Sequence, residues 1–185
     1  MLEIRWHSRA GQGAVTGAKG LADVISTTGK HVQAFAFYGS AKRGAAMTAY
    51  NRVDDKVIMN HEKFMAPDYV LVIDPALLYT TDVTINHKEN TVYIITSHLN
   101  TQELIATQPR LEGKEVYTVD CIKIAQETIG KPIPNTPMLG ALMKISKMYE
   151  LDFFKENMKR VLGKLPQKII DANMIAIQRA YDEVK

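Results

Sequence analysis

Apolar and polar side chains alternate from residue 2 to residue 6, and this period of two predicts a β-strand. A short loop containing glycine follows at residues 8–13. From residue 14 to residue 28 the apolar positions recur at spacings of three and four, which predicts a helix with one buried face. Residues 31–38 predict a second strand, and a strand, loop, helix and strand in this order are typical of a βαβ unit with parallel strands. The buried face of the helix is predicted to consist of Val15, Ala18, Ala22 and Ile25.

The pattern continues with strands and then changes to helices. Residues 69–74 are nearly all apolar and rich in β-branched side chains, as in a strand buried on both faces of a parallel sheet. The remaining elements of the first part are predicted strands at residues 46–53, 91–96 and 115–120 and a short helix at residues 101–107. The sequence therefore predicts an α/β fold: one layered, Rossmann-like domain over residues 1–185, with a largely parallel sheet in residues 1–120 and a helical C-terminal part in residues 121–185.

The helical part ends in an amphipathic segment. Helices are predicted at residues 122–129, from residue 137 to about residue 150, around residues 154–162 and at residues 167–183. Thr136 is placed to cap the second of these helices, with Pro137 in its first turn. The last helix has an apolar stripe that must be covered by the core or by a partner chain, and we expect the core. The stripe consists of Ile170, Met174, Ile177, Tyr181 and Val184.

Composition limits the classes of function. Hydrophobic residues make up 46% and charged residues 23% of the 185 residues, which is the balance of a globular protein. The formal charge of +3 is too small to indicate nucleic-acid binding. No apolar run approaches the roughly 18 residues that cross a bilayer, and the first residues show no signal-peptide pattern. We therefore expect a cytoplasmic chain that binds neither nucleic acid nor a membrane.

The titratable residues disfavour a metal centre or a self-contained active site. The single cysteine, Cys121, cannot supply the four thiolates that an iron–sulfur cluster usually needs. The five histidines include no pair at metal-binding spacing. No Ser-His-Asp or Cys-His grouping can be recognised. The sequence therefore predicts no catalytic residue and no metal ligand, so any electron carrier must be bound by another chain.

The loop after the first strand is a candidate for ligand binding. Gly11, Gln12 and Gly13 lie between a strand and a helix, where backbone N–H groups at the positive end of the helix dipole can bind phosphates or carboxylates. Arg9 and Lys19 could add positive charge. The alternative is a tight turn that needs glycine only for its backbone angles.

A dinucleotide-binding fingerprint is disfavoured at this loop. The G-x-G-x-x-G pattern that begins at Gly11 needs a third glycine where this chain has Thr16. The fingerprint also needs an acidic residue at the end of the second strand, and residues 33–38 contain none. A free-standing NAD(P)-binding reductase is therefore the weaker alternative, which a fluorescence titration with NADH would test.

A second loop, at residues 39–44, follows the second strand and carries Lys42 and Arg43. In a parallel sheet the loops after the first two strands open at the same carboxyl edge, where α/β domains bind ligands. Both loops are rich in small residues, so Arg9, Lys42 and Arg43 could converge on one crevice. The alternative is a basic turn exposed to solvent.

Four segments resemble the gamma subunits of 2-oxoacid:ferredoxin oxidoreductases. Residues 9–15 (Arg-Ala-Gly-Gln-Gly-Ala-Val) resemble the opening glycine loop of that family, and residues 32–45, with their Tyr-Gly and Arg-Gly pairs, resemble its second block. Residues 69–74 and 134–141 resemble a strand and an Asn…Leu-Gly-Ala segment of the family. The resemblance extends from residue 2 to about residue 145, and the second block favours the pyruvate-specific enzyme, pyruvate synthase.

This resemblance implies a function in a multi-subunit complex. Such a complex oxidatively decarboxylates a 2-oxoacid with coenzyme A and passes two electrons to ferredoxin or flavodoxin. The resemblance also implies that alpha and beta subunits bind thiamine diphosphate and that a delta subunit carries iron–sulfur clusters. The gamma subunit, inactive alone, would be a structural partner that also contacts coenzyme A. The candidate coenzyme A-binding residues are Arg9, Gly11, Gln12, Gly13, Tyr38, Lys42, Arg43 and Gly44.

The resemblance leaves alternatives open. Lys42 departs from the family block, where an acidic or neutral residue is expected, so the role of this position is open. Substrate choice should lie with the thiamine-bearing chains, so the complex could also use 2-oxoglutarate, a branched-chain 2-oxoacid or indolepyruvate. A purely structural subunit without a ligand is a further alternative, in which both loops would form subunit contacts.

Overall fold

The computed structural model describes residues 1–39 and 44–185. Within these residues the chain forms six strands, seven α-helices and one short 3-10 helix. The strands are β1 (Leu2–Arg9), β2 (His31–Tyr38), β3 (Ala46–Asp54), β4 (Tyr69–Val72), β5 (Val92–Thr96) and β6 (Glu115–Val119). The helices are α1 (Ala14–Ser26), α2 (Leu77–Thr80), α3 (Thr101–Thr107), the 3-10 helix Pro109–Leu111, α4 (Cys121–Thr128), α5 (Asn135–Ser146), α6 (Leu151–Val161) and α7 (Gln167–Glu183). The predicted α/β fold with a helical C-terminal part is confirmed.

The strands form one sheet in the order β2-β3-β1-β4-β5-β6. β1, β4, β5 and β6 pair in parallel, whereas β3 is antiparallel to both β1 and β2. The predictions of a largely parallel sheet and of parallel strands β1 and β2 are therefore confirmed, but these two strands are not neighbours, because β3 lies between them. The physical reason is the short connection from β2 to β3, which can join only antiparallel neighbours. β1 and β2 still point in the same direction, so both end at the same edge of the sheet.

β1 lies inside the sheet and both of its faces are buried. On one face Trp6 packs against Gly17 of α1, and its indole N–H donates a hydrogen bond to Asn51 Oδ1 at 2.9 Å. On the other face Arg5 and His7 are buried under irregular chain from the region between β3 and β5. The polar positions of the alternating strand therefore do not face solvent.

The buried face of α1 differs from the predicted stripe. Ala18 and Ile25 are buried as predicted, but Val15 and Ala22 are only half-buried. The residues buried instead are Ala14, Gly17, Leu21 and Val24. The face is rotated because Gly17, which has no side chain, brings the helix directly onto the indole ring of Trp6.

The C-terminal helices pack on the α1 side of the sheet and complete the larger hydrophobic core. Ile170, Met174 and Ile177 of α7 are buried, and Tyr181 and Val184 pack at the edge of this core, which confirms that the stripe belongs to the core. Helices α5 and α7 come into backbone contact at Gly140, because this residue has no side chain. Any side chain there would overlap the backbone of Ile177.

The start of α5 differs from the prediction. The helix begins at Asn135 with Pro134 as its N-cap, so Thr136 and Pro137 lie within the first turn. Proline is tolerated there because the missing N–H would have no partner inside the helix. The helix ends at Ser146, before the predicted residue 150, because Lys147 adopts the left-handed conformation. Across the described parts of the chain, no helix has the length and apolar character needed to cross a membrane.

Candidate anion-binding site

The glycine loop connects the carboxyl end of β1 to the amino end of α1. Gly11 and Gly13 have φ angles of 99° and 89°, which side chains rarely allow. A side chain at Gly13 would in addition collide with Asn135 of α5. Glycine is therefore required at Gly13 by both the backbone angle and the packing, whereas at Gly11 only the angle requires it, since the space around it is open.

In the part of the chain that the structure describes, the backbone N–H groups in the first turn of α1 have no hydrogen-bond partner. Gly13 is the N-cap and makes no side-chain capping bond, and the first turn contains no acidic residue. A cleft of about 330 Å³ opens in front of this turn. It is lined by Ala10, Gly11, Gly13, Ala14, Val15, Thr16, Tyr38 and Met47. An uncapped helix N-terminus that faces an open cleft can accept an anionic group.

Arg9 and Gln12 bind Asp74 rather than the cleft. The Nε atom of Arg9 and the Nε2 atom of Gln12 each donate to Asp74 Oδ2 at 2.9 Å. The other carboxylate oxygen accepts the backbone N–H of Ala76, also at 2.9 Å. Asp74 is buried at the end of β4, next to β1. The Arg9 charge is therefore neutralised inside the protein, so Arg9 positions the loop and adds little net charge to the cleft.

The Gln12 side chain also folds back onto the loop. Its Oε1 atom accepts a hydrogen bond from the backbone N–H of Arg9 at 2.8 Å and one from the Ser8 hydroxyl at 3.2 Å. The backbone N–H of Gln12 donates to the Arg9 carbonyl at 3.2 Å. The predicted backbone donor at Gln12 is therefore already occupied, and the donors that face the cleft come from the glycines and the first turn of α1.

The second loop lies directly beside the first. The backbone N–H of Ala10 donates to the Ala45 carbonyl, and Arg9 Nη1 donates to the Gly44 carbonyl, each at 3.2 Å. Tyr38, whose exposed fraction is 63%, lines the cleft from the end of β2. The structure thus brings together six of the predicted residues, while Lys42 and Arg43 lie outside the described residues. The six are Arg9, Gly11, Gln12, Gly13, Tyr38 and Gly44.

Asp74 is the residue of this site that sequence reasoning missed. The sequence pattern places it only at the end of a buried strand. A signal was available, because an aspartate at the carboxyl end of a parallel strand lies at the edge where α/β sites form. Its partners could not be identified from the sequence, since they depend on β4 being the neighbour of β1.

Cys121 is buried, and burial raises the pKa of its thiol. Among the described residues there is no group of three or more histidine, cysteine or acidic side chains placed to hold a metal ion.

Comparison with known proteins gives similarity along the whole chain. The family described as pyruvate ferredoxin/flavodoxin oxidoreductase matches residues 3–183. The pyruvate synthase subunit PorC of Thermotoga maritima is 39% identical over 184 residues, which cover 99% of this chain and 94% of that protein. The pyruvate/ketoisovalerate oxidoreductases common subunit gamma of Pyrococcus abyssi is 39% identical over 186 residues, which cover 100% and 98%.

Solved structures agree with this similarity. The crystal structure of the pyruvate oxidoreductase subunit PORC from Thermotoga maritima has a TM-score of 0.86 and 36% identity, and covers 100% of this chain and 97% of that one. The 2-oxoglutarate:ferredoxin oxidoreductase from Magnetococcus marinus, solved with 2-oxoglutarate, coenzyme A and succinyl-CoA bound, has a TM-score of 0.76 and 19% identity. That likeness covers 98% of this chain but 30% of the other, and it shows a shared fold.

Proposed function

This chain belongs to the pyruvate ferredoxin/flavodoxin oxidoreductase family, and we propose on that basis that it is the gamma subunit of a pyruvate:ferredoxin oxidoreductase complex. The complex converts pyruvate, coenzyme A and oxidised ferredoxin to acetyl-CoA, carbon dioxide and reduced ferredoxin. Thiamine diphosphate and the iron–sulfur clusters are expected on the alpha, beta and delta subunits. This chain contributes structure and a contact to coenzyme A.

The observation that carries this proposal is the 39% identity to a pyruvate synthase subunit over nearly the full length of both chains. To test it, the native complex should be isolated through an affinity tag on this chain. We expect alpha, beta and delta subunits to co-purify, and pyruvate-dependent reduction of ferredoxin that requires coenzyme A. A tagged chain that purifies alone from cells with pyruvate oxidoreductase activity would contradict the assignment.

A branched-chain 2-oxoacid is the second candidate substrate. The observation that favours it is the name of several relatives, which are common subunits of pyruvate and ketoisovalerate oxidoreductases. One gamma chain can then serve two complexes. Comparing the rates of the isolated complex with pyruvate and 2-ketoisovalerate separates the two substrates, and finding two sets of partner chains would indicate a shared subunit.

The coenzyme A contact is proposed at the amino end of α1. The residues there fit a phosphate, because the N-terminus is uncapped, has no acidic side chain in its first turn and faces an open cleft. Gly11 and Gly13 would present the backbone, and the exposed ring of Tyr38 would border the ligand. Since Arg9 is paired with Asp74, further positive charge should come from Lys42, Arg43 or another subunit.

An acidic substitution in the first turn tests this contact. Thr16 is exposed, lies in the first turn of α1 and lines the cleft. Thr16→Asp should favour the helix through its dipole but repel a phosphate at the same N-terminus by about 1–2 kcal/mol. We expect the KM of the complex for coenzyme A to rise by about tenfold, with the KM for pyruvate unchanged.

The matched control is Thr16→Asn, because asparagine has nearly the same shape as aspartate but no charge. It should leave the KM for coenzyme A within about twofold of the original value. Gel filtration should show an intact complex for both variants. If both variants assemble and Thr16→Asp leaves the KM for coenzyme A unchanged, coenzyme A does not bind at this N-terminus.

A further inference from the structure

A second cavity lies on the face of the sheet opposite α1. Its volume is about 420 Å³, within the range of small-molecule sites. Among the polar side chains from the strands that line it are Arg5 and His7 of β1 and Tyr50 of β3. The rest of the lining is largely apolar and includes Phe37, Met47, Met65, Leu77 and Ile85. The cavity is separate from the cleft in front of α1, although Tyr38 and Met47 border both.

Arg5 is a buried cation with only part of its guanidinium group satisfied. It is 4% exposed, and its Nη atoms donate to the backbone carbonyls of Met65, Val83 and Ile85 at 2.9–3.1 Å. Its Nε–H is buried and has no partner within the described residues. No carboxylate of the described chain forms an ion pair with it. A buried charge without a counterion is costly, so this cavity favours an anion.

His7 and Tyr50 add two more buried polar atoms beside Arg5. His7 Nε2 and the Tyr50 hydroxyl are both buried without a hydrogen-bond partner in the described structure. Tyr50 is the direct cross-strand partner of Arg5, and His7 lies two residues along β1, on the same face. Burial and the nearby Arg5 and Lys63 lower the pKa of His7 to about 3. At neutral pH the ring is uncharged, and its Nε2–H tautomer can act as a donor.

We propose that this cavity binds a small organic monocarboxylate, with the carboxylate at Arg5, His7 and Tyr50 and the apolar body against the cavity walls. The charges lining the cavity favour a single negative charge. Among the described residues that line the cavity, two are cationic, Arg5 and Lys63, and one is acidic, Asp82, which leaves one net positive charge. A phosphate dianion would exceed this charge and gain nothing from apolar walls. The proposal is independent of the function proposed for the subunit.

NMR of the full-length chain with isotope-labelled histidine provides the test, because His7 reports from inside the cavity. His31, His61, His87 and His98 are all exposed and serve as internal controls. The probes are isobutyrate, its neutral counterpart isobutyramide and inorganic phosphate, at constant ionic strength. We expect isobutyrate to shift the His7 signals saturably toward the Nε2–H tautomer without shifting the other histidines. Isobutyramide and phosphate should bind at least about tenfold more weakly.

Two tyrosine variants show whether binding occurs at the proposed atoms. Tyr50→Phe removes only the hydroxyl, and the affinity for isobutyrate should fall by about tenfold. Tyr93→Phe is the matched control, because the Tyr93 hydroxyl is also buried without a partner but does not line the cavity. This variant should bind isobutyrate like the original chain. Urea unfolding should show that both variants remain folded.

Three results would overturn the proposal. The first is the absence of a saturable His7 shift up to about 50 mM isobutyrate. The second is equal binding of isobutyramide or phosphate, which would indicate a site without selectivity for a carboxylate. The third is an equal effect of both tyrosine variants, which would place the binding elsewhere. In the first case the buried polar atoms of the cavity would be satisfied by water alone.

Discussion

Replacing Asp74 by alanine removes the carboxylate that holds the glycine loop in place. Asp74 accepts hydrogen bonds from Arg9, Gln12 and the backbone of Ala76, all at 2.9 Å. It joins the carboxyl end of β4 to the loop that follows β1. The variant therefore separates two contributions of this carboxylate: stability of the fold, and placement of the loop in front of α1.

The magnitude follows from the exposure of the three donors. Each buried donor that loses its partner lowers the free energy of unfolding by about 1–3 kcal/mol. Three fully buried donors would therefore set an upper limit that this site does not reach. The Arg9 side chain is 34% exposed and Ala76 lies at the surface, so water can replace part of what is lost. We expect Asp74→Ala to lower the free energy of unfolding by about 2–3 kcal/mol.

Urea unfolding followed by circular dichroism measures this change, with Glu127→Ala as the control. Glu127 forms an exposed ion pair with Arg179 at 2.8 Å, a type of contact that contributes little. A double-mutant cycle with Arg9→Ala should give a coupling free energy of about 1–2 kcal/mol between Arg9 and Asp74. The reasoning fails if Asp74→Ala changes the free energy of unfolding no more than Glu127→Ala does, or if Arg9 and Asp74 prove to be independent.

Three further predictions concern packing, pH and cysteine chemistry. Gly140→Ala should lower the free energy of unfolding, measured with urea, by about 2–4 kcal/mol, because its methyl group would overlap the Ile177 backbone. Gly20→Ala on α1 is the control: its methyl group meets no close contact, so the variant should be neutral or slightly stabilising. Because the pKa of His7 is about 3 in the folded chain and about 6.5 when unfolded, the unfolded state binds the extra proton as the pH falls below 6.5. The free energy of unfolding should therefore fall by about 2 kcal/mol between pH 7 and pH 5, and a pH-independent value, or an unchanged slope in His7→Gln, would contradict this. Cys121 should resist thiol reagents in the native chain and react in urea, since its thiol is buried and its pKa is raised; rapid labelling of the native chain would show that the site opens.

Local patterns in the sequence were sufficient for the elements but not for their pairing. The bounds of β2 were predicted as observed, and β3, β5 and β6 differ by one residue at one end. These strands are short apolar or alternating runs with turn residues at their ends, and such signals are local. The position of β3 between β1 and β2 is a long-range pairing, which periodicity does not encode. The antiparallel return nevertheless leaves β1 and β2 ending at one edge, so the two predicted loops meet there as expected, although the two strands are not neighbours.

Charged residues were harder to interpret than apolar ones. The period of two in β1 placed Glu3 and Arg5 on a polar face, which usually means a face exposed to water. In the structure Arg5 is 4% exposed, because irregular chain from the region between β3 and β5 covers this face and supplies carbonyl acceptors. Arg9 was interpreted as a ligand-binding cation for a similar reason: its partner, Asp74, is 65 residues away in the chain. The partner of a buried charge depends on the tertiary fold, so residue type and spacing could not identify it.

The two arginines of β1 show how partners separate structural from ligand-binding roles. Arg9 has a carboxylate partner, so a ligand phosphate at the glycine loop would gain little from its charge and would depend on the N–H groups of α1. Within the described residues the hydrogen-bond partners of Arg5 are backbone carbonyls, so its charge remains available to an anion in the cavity. A buried cation without a counterion raises the free energy of the folded chain, so an anion at Arg5 should stabilise the fold. An anion at the glycine loop should stabilise the fold to a smaller extent. A rise in the melting temperature with isobutyrate that is reduced in Tyr50→Phe and retained in Thr16→Asp would separate the two sites in one experiment.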